Sequence, residues 1–173
     1  IHTRIPSVLP SRISQQLIDI FKSTNKTVWI AVHINSVLEF TDECKNAIQL
    51  LVQNEIPVVL QSVLLKNVND NETGLIELFK TAVELKIKPY YLHYPDLARG
   101  TQHFRIPLRQ AIELFKNLHG KISGMCIPKL IVDIPGGKGK IAINAHHAYE
   151  ISPDIWELES PITGEKIQVR YPS

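Results

Sequence analysis

The chemistry of this chain is concentrated in one turn, where a carboxylate and an amine flank a glycine-rich run within eight residues. Asp133 precedes the run and Lys140 closes it. Glycines accept positive φ and let the backbone approach a ligand, so the turn can present amides to an anion with an amine beside it. The pattern predicts a cofactor-binding lysine. An ordinary strand-to-loop turn with two solvated lysines is the alternative.

A nucleotide phosphate loop is the rival interpretation of the same residues. Such a loop requires Ser or Thr after its lysine so that a hydroxyl reaches magnesium, whereas Ile141 follows Lys140. Gly136 and Gly139 also leave too short a cradle before the final Gly-Lys pair. The sequence therefore argues against a Walker-type NTPase.

Polar side chains follow each of the predicted strands that lead toward this turn. They are His33 and Asn35, then Gln61 and Ser62, then His93 and Asp96, and finally Asp133 and Lys140. Loops after the carboxyl ends of parallel strands hold the site in α/β folds, so these groups should converge. Each residue taken alone is as well explained by ordinary hydrogen bonding.

The elements that must position these groups alternate as strand and helix. Strands are predicted at 27–33, 57–60, 88–93 and 128–132, and helices at 12–22 after Ser11, from Thr41, after 69–71, and at 107–118. This order favours a mainly parallel α/β architecture. From Tyr149 onward, short apolar segments around Thr163 and Gly164 predict a small C-terminal β-hairpin.

Composition restricts the partners of the chain. Its 173 residues are 44% hydrophobic with a formal net charge of +2, which suits one globular domain and gives no argument for nucleic-acid or membrane binding. Cys44 and Cys126 fit no metal spacing and are expected as packed, reduced thiols. With no signal segment or apolar run of about 20 residues, we expect a cytoplasmic location. The absence of an initial Met predicts either a piece of a longer protein or a gene with a displaced start.

Several linked motifs occur in order over roughly the first 145 residues. They occupy residues 1–6, 9–13, 33–35, 61–65, 69–70, 89–93, 103–105, 123–124 and 133–140. Together they resemble the lysine 2,3-aminomutase family, whose members use pyridoxal phosphate and a radical S-adenosylmethionine mechanism to interconvert L-α-lysine and β-lysine. The resemblance implies an isomerase and the C-terminal part of a partial (β/α) barrel with parallel strands.

The resemblance also implies roles for individual residues. Lys140 resembles the lysine that forms the Schiff base with pyridoxal phosphate, and Asp96 and Asp133 resemble the pair that holds the side-chain ammonium of the substrate L-lysine. Four more residues resemble members of the cofactor pocket: His33, Gln61, Asn35 and Arg4.

One part of the family pattern is missing from the chain. Family members hold a 4Fe-4S cluster, which binds S-adenosylmethionine, through a Cys-x3-Cys-x2-Cys motif, and neither Cys44 nor Cys126 can supply it. We therefore expect residues 1–145 to be the C-terminal half of the barrel, residues 146–173 to be a β-rich tail, and the cluster to reside on a separate N-terminal half.

Two hypotheses about function follow. The chain is either a piece of the aminomutase that acts with its N-terminal half, or a non-catalytic remnant or split-gene product. The tail contains no Cys, and Asn71 replaces a zinc ligand of clostridial-type relatives. The residues of the motifs are instead more similar to those of the branch that makes (R)-β-lysine for elongation factor P. A metal site at His146, His147 and Asp154 is a minor alternative, and a homo-oligomer is compatible with the sequence.

Overall fold

The strands of the chain form two sheets. The computed structural model describes residues 1–143, 148–160 and 163–171. Within these ranges the first sheet contains β1 (His2–Thr3), β2 (Ile30–His33), β3 (Val58–Val63), β4 (Lys88–His93), β5 (Lys129–Asp133) and β6 (Lys140–Ala142). The second contains β7 (Ala148–Ser152), β8 (Ile155–Glu159) and β9 (Lys166–Arg170).

Five α-helices connect these strands in the described part of the chain. They are α1 (Ile5–Val8), α2 (Gln15–Ser23), α3 (Asp42–Gln53), α4 (Glu72–Glu84) and α5 (Leu108–Lys116). Two predicted helix starts are confirmed by their caps. The Thr41 hydroxyl accepts a hydrogen bond from the Cys44 amide at 3.2 Å, and the Asn71 side chain accepts one from the Gly74 amide at 2.8 Å.

The first long helix starts later than the sequence predicts. Ser14 rather than Ser11 is the cap of α2, and its hydroxyl accepts from the Leu17 amide at 3.4 Å. The reason lies in the preceding backbone, because Pro10–Arg12 forms a 3-10 turn and Ile13 has φ −84° and ψ 88°, outside the helical region. The chain therefore enters α2 only after Ile13.

The order of strands in the six-stranded sheet follows the order of the chain. Strands β2 to β5 pair in parallel, as predicted. Two short strands were not predicted: β1, which pairs in parallel with β2, and β6, which has three residues and pairs antiparallel with β5. The register of β6 sets Asp133 opposite Lys140 and Val132 opposite Ile141. Ile141 is 2% exposed. This apolar residue directly after Lys140 is the signal in the sequence that could have indicated β6.

The two faces of the sheet differ in burial. Along β3, Val58, Leu60 and Ser62 are buried, whereas the alternate residues Val59, Gln61 and Val63 are partly exposed. Successive side chains on a strand point to opposite faces. Leu60 belongs to the core, as do the buried apolar residues of α3 and α4. The face that carries Gln61 is therefore the one left accessible to a ligand.

The C-terminal segment is larger than the predicted hairpin. It forms a three-stranded antiparallel sheet in the order β7-β8-β9, with an irregular register between Glu150 and Ser152. The hairpin prediction was incomplete because β7, with its exposed Tyr149 and Ile151, lacks the clean alternation of buried residues. The predicted boundary at residue 145 falls within 144–147, outside the described residues.

Both cysteines are free and buried, as expected. Burial raises the pKa of the Cys44 thiol to about 11. Within the described ranges, no helix has the length and apolar character needed to cross a bilayer.

Candidate active site

The carboxyl ends of the parallel strands open onto a cavity of about 400 Å³, which we call the central cavity. Its described lining includes polar residues from successive strand ends and from the loop after β4: His33, Gln61, His93, Asp96, Asp133 and Lys140. The sequence predicts this convergence, because these polar residues follow successive strands. It arises because parallel pairing aligns the strand ends, with His33 opposite Gln61 and Val63 opposite His93.

Asp133 joins two of these groups. One carboxylate oxygen accepts a hydrogen bond from the Lys140 ammonium, and the other lies 3.0 Å from Nδ1 of His93. The pairing with Lys140 follows from the β5–β6 register. The Asp133 side chain is 27% exposed and that of Lys140 is 49% exposed, so the amine is reachable from the cavity while its carboxylate partner is more protected.

His93 is the more deeply buried of the two histidines that line the central cavity. It is 7% exposed, and its Nε2 atom is buried with no hydrogen-bond partner among the described residues. Burial lowers the pKa of His93, while the hydrogen bond and the charge of Asp133 act in the opposite direction. In the sequence, His93 is identifiable only as a polar residue at the end of a strand. Nothing there indicates its bond to Asp133, so no role was predicted for it.

His33 provides a second imidazole with an unsatisfied nitrogen. Its Nε2 atom is also buried without a partner among the described residues, and its ring lies 5.9 Å from that of His2 in an edge-on arrangement. Burial lowers the pKa of His33, and the nearby His2, His93 and Arg4 lower it further. Both histidines are thus biased toward the neutral form, in which one ring nitrogen is a hydrogen-bond acceptor.

Gln61 and Asp96 also line the central cavity. Neither side chain has a hydrogen-bond or ion-pair partner within the described ranges. Asp96 is exposed on the loop after β4 and also lines an adjoining cavity of about 420 Å³, together with Asp133 and Lys140. We call this second space the turn-side cavity because Gly136 and Gly137 border it.

Asn35 and Arg4 lie outside the described lining of either cavity. The Asn35 side-chain oxygen accepts from the Val63 amide at 2.8 Å, which ties the loop after β2 to the end of β3. The Arg4 guanidinium donates to Glu39 at 2.7 Å, and Glu39 in turn accepts from the Asn35 amide at 2.7 Å. In this arrangement both residues support the loop behind the cavity.

The glycine-rich turn separates its two lysines. Gly136, Gly137 and Gly139 all have positive φ, at 81°, 73° and 103°, and the Ile134 amide donates to the Gly139 carbonyl at 2.9 Å. Lys138 points away from the cavity and pairs with Glu165 at 2.7 Å. The turn thus directs Lys140, and not Lys138, to the carboxylate of Asp133.

A larger space of about 670 Å³ lies elsewhere, between β1 and α2. Its lining is mainly apolar, with Leu17, Ile20 and Phe21, and contains no carboxylate among the described residues. The chemistry therefore lies in the smaller cavities. His146 and His147 of the minor metal hypothesis lie outside the described residues, and no group of three or more His, Cys, Asp or Glu suited to a metal occurs among those described.

Comparison with known proteins finds relatives whose similarity covers most of this chain, and not only the glycine-rich turn. No family model matches the chain. It is 39% identical over 174 residues to an L-lysine 2,3-aminomutase of Clostridium subterminale, an alignment that covers 99% of this chain and 42% of the relative. The corresponding enzyme of Bacillus subtilis is 38% identical over 154 residues, covering 89% of this chain and 32% of the relative.

A third relative, the L-lysine 2,3-aminomutase of Buchnera aphidicola, is 40% identical over 144 residues, covering 83% of this chain and 42% of the relative. The chain thus spans less than half the length of the curated relatives it matches. Because this level of identity extends over most of its residues, the chain belongs to the lysine 2,3-aminomutase family.

Proposed function

We propose that this chain is the pyridoxal phosphate-binding part of an L-lysine 2,3-aminomutase, an isomerase that interconverts L-α-lysine and β-lysine. The observation that carries the proposal is the placement of Lys140 at the rim of the central cavity, paired with Asp133. Covalent attachment of an aldehyde cofactor requires an accessible amine in a cavity, and Lys140 is the one amine among the described residues that line the central cavity.

The residues present fit this cofactor in three respects. Lys140 supplies the amine, and the neighbouring cavities have room for a small ring. The buried Nε2 atoms of His33 and His93 lack partners among the described residues and are available to polar atoms of a ligand. Gln61 adds an amide that can donate and accept.

The charges of the cavity suit the proposed substrate. With neutral histidines, the described lining carries two carboxylates, Asp96 and Asp133, and one amine, Lys140. This excess of negative charge favours an ammonium group, and two carboxylates in one cavity suit the terminal amine of lysine. It disfavours a phosphate, so we propose that cations from other parts of the longer protein hold the cofactor phosphate.

Bound pyridoxal phosphate would supply an aldehyde that can attach to an amine and a conjugated ring that delocalises electrons. The residues of this chain do the positioning. Asp133 orients Nζ of Lys140 and can hold its proton, while His93 fixes the other carboxylate oxygen. When Lys140 is engaged with the cofactor, Asp133 is free to join Asp96 in binding the substrate ammonium. His33 and Gln61 line the same cavity from the ends of β2 and β3.

Two features support a partial (β/α) barrel as the framework. The six strands are adjacent in chain order, and the face that carries Gln61 and His93 forms the cavity while the opposite face packs in the core. A (β/α) barrel has this sequential strand order and places its site at the carboxyl ends of the strands. We propose that the missing strands belong to the N-terminal half, which would also hold the 4Fe-4S cluster and S-adenosylmethionine.

The test is to incubate the chain with pyridoxal phosphate, reduce it with borohydride and locate the pyridoxyl group by peptide mass spectrometry. The proposal expects modification at Lys140 in near-stoichiometric amount. Modification spread over several surface lysines, or none at Lys140, would overturn it. A separate assay with the cluster-bearing half then distinguishes the two hypotheses, because a split enzyme regains lysine turnover and a non-catalytic remnant does not.

A further inference from the structure

Tyr171, the residue after β9, carries a buried hydroxyl without a partner. The residue is 2% exposed, and its Oη atom has no hydrogen-bond partner among the described residues. Its backbone amide donates to the Asp154 carbonyl at 2.8 Å, and its ring meets that of Tyr94 edge-on, with centroids 5.3 Å apart. The side chain is therefore held from two directions, so the position of the hydroxyl is well defined.

The surroundings of this hydroxyl belong to the site already described. Tyr171 lines the turn-side cavity together with Asp96, Asp133 and Lys140. Burial raises the pKa of Tyr171, and the charges of Asp96 and Asp133 contribute in the same direction. The phenol thus shares a cavity with both carboxylates, and it stays neutral at physiological pH.

An unpaired hydroxyl in this position is costly to the folded protein. Burying a polar group without a hydrogen bond costs about 1–3 kcal/mol. Nearly all buried polar groups in native proteins are paired, with protein, water or ligand. The space next to the Tyr171 side chain is the turn-side cavity, so a molecule bound there is the natural partner.

The number of donors on an ammonium group suggests what that partner is. An ammonium has three N–H groups, and the carboxylates of Asp96 and Asp133 can accept two. A neutral phenol can accept the third and donate its own proton to a neighbouring carboxylate. We infer that Tyr171 is a further substrate-binding residue, whose hydroxyl completes the hydrogen bonding of the terminal ammonium of the substrate between Asp96 and Asp133.

This inference rests on the proposed function, and its test separates the two. The chain loaded with pyridoxal phosphate is titrated calorimetrically with L-lysine and with L-norleucine, which has the same chain without the terminal ammonium. Tyr171→Phe removes only the hydroxyl. Tyr149→Phe makes the same change on β7 of the C-terminal sheet, at a residue that is 49% exposed and lines neither cavity.

We expect Tyr171→Phe to weaken L-lysine binding about tenfold and to leave L-norleucine binding unchanged, since the lost hydrogen bond is to a charged group. Tyr149→Phe should bind both as the parent does. Urea unfolding without ligand should show Tyr171→Phe to be as stable as the parent or more so, because the variant no longer buries an unpaired hydroxyl.

Equal L-lysine affinity in parent and Tyr171→Phe would overturn the inference and leave the proposed function standing. Equal weakening toward both ligands, with a loss of stability, would also overturn it, because the hydroxyl would then be structural. If the parent binds pyridoxal phosphate at Lys140 but does not bind L-lysine, the substrate assignment fails and the role of Tyr171 fails with it.

Discussion

The Nδ1 atom of His93 lies 3.0 Å from Oδ2 of Asp133, on the neighbouring strand. The second oxygen of the same carboxylate accepts a hydrogen bond from the amine of Lys140 on the strand beyond. A buried imidazole and an accessible amine are thus coupled through one carboxylate across β4, β5 and β6. The charges of both partners act on the imidazole: Asp133 raises the pKa of His93, and Lys140 lowers it.

Substitution of Lys140 tests the assignment of the cofactor lysine. Lys140→Ala should abolish the borohydride-trapped pyridoxyl adduct, because no other lysine is paired with Asp133 among the described residues. The ion pair is half exposed, so the free energy of unfolding should change by less than about 1 kcal/mol. Peptide mass spectrometry and urea unfolding measure the two effects.

Lys138→Ala is the matched control, since it removes an amine from the same turn. Lys138 pairs with Glu165 on the side of the C-terminal sheet, so its loss should leave the adduct at Lys140 intact. An adduct that survives in Lys140→Ala and disappears in Lys138→Ala would reverse the assignment of the two lysines.

Substitution of Asp133 tests the coupling to His93. Asp133→Asn removes the negative charge that favours the imidazolium, so the pKa of His93 should fall below its already lowered value. The measurement is an NMR titration of the histidine ring protons. Asp42→Asn is the control, because the Asp42 side chain is 94% exposed at the start of α3. An unchanged His93 pKa in Asp133→Asn would contradict the coupling.

The buried histidines predict how stability varies with pH. Burial lowers the pKa values of His93 and His33 below the ordinary value of 6.5, so between the folded and ordinary values the unfolded chain binds more protons. The free energy of unfolding should therefore decrease as the pH falls below about 6.5. Urea unfolding from pH 7.5 to pH 5 measures this slope.

His93→Gln should reduce that slope, because it removes one of the two groups responsible. His103→Gln, at an exposed position in the 3-10 turn Gln102–Phe104, should leave it unchanged. A slope that persists in full in His93→Gln would show that other groups control the acid sensitivity.

Asn69 should be among the most important polar residues for stability. It is 1% exposed, and its side chain bonds three backbone groups of the loops behind the cavity: the Leu65 amide and the carbonyls of Asn35 and Val63, all within 2.9 Å. Asn69→Ala should lower the free energy of unfolding by about 2–4 kcal/mol, because three partly buried backbone groups lose a partner. Asn46→Ala, on the exposed side of α3, should change it by less than about 0.5 kcal/mol.

Local signals in the sequence were sufficient for much of the fold. The caps at Thr41 and Asn71 were predictable because a short polar side chain bonds an amide only two or three residues away. The parallel order was predictable from the alternation of strands and helices, and it placed Gln61, His93, Asp133 and Lys140 at one edge of the sheet.

Contacts between distant residues were not predictable in the same way. The bond between His93 and Asp133 spans 40 residues, and the Asn35 side-chain oxygen accepts from the Val63 amide, 28 residues away. Tyr171 reaches the site only because the C-terminal sheet packs beside the glycine-rich turn. No short-range sequence pattern encodes these contacts. The cofactor-binding roles that the family resemblance gives to Asn35 and Arg4 stay predictions, as does the assignment of the chain to one branch of the family.

The register of β5 with β6 determines which changes in chain length the site can tolerate. Asp133 and Lys140 are cross-strand neighbours, and the residues between them form a turn closed by the bond from Ile134 to Gly139. Lengthening this turn would preserve the pairing as long as β6 kept its alignment. A shift of β6 by one position would instead direct the Lys140 amine to the opposite face of the sheet. Related chains can therefore vary in the number of turn residues, but not in the parity that places amine and carboxylate on one face.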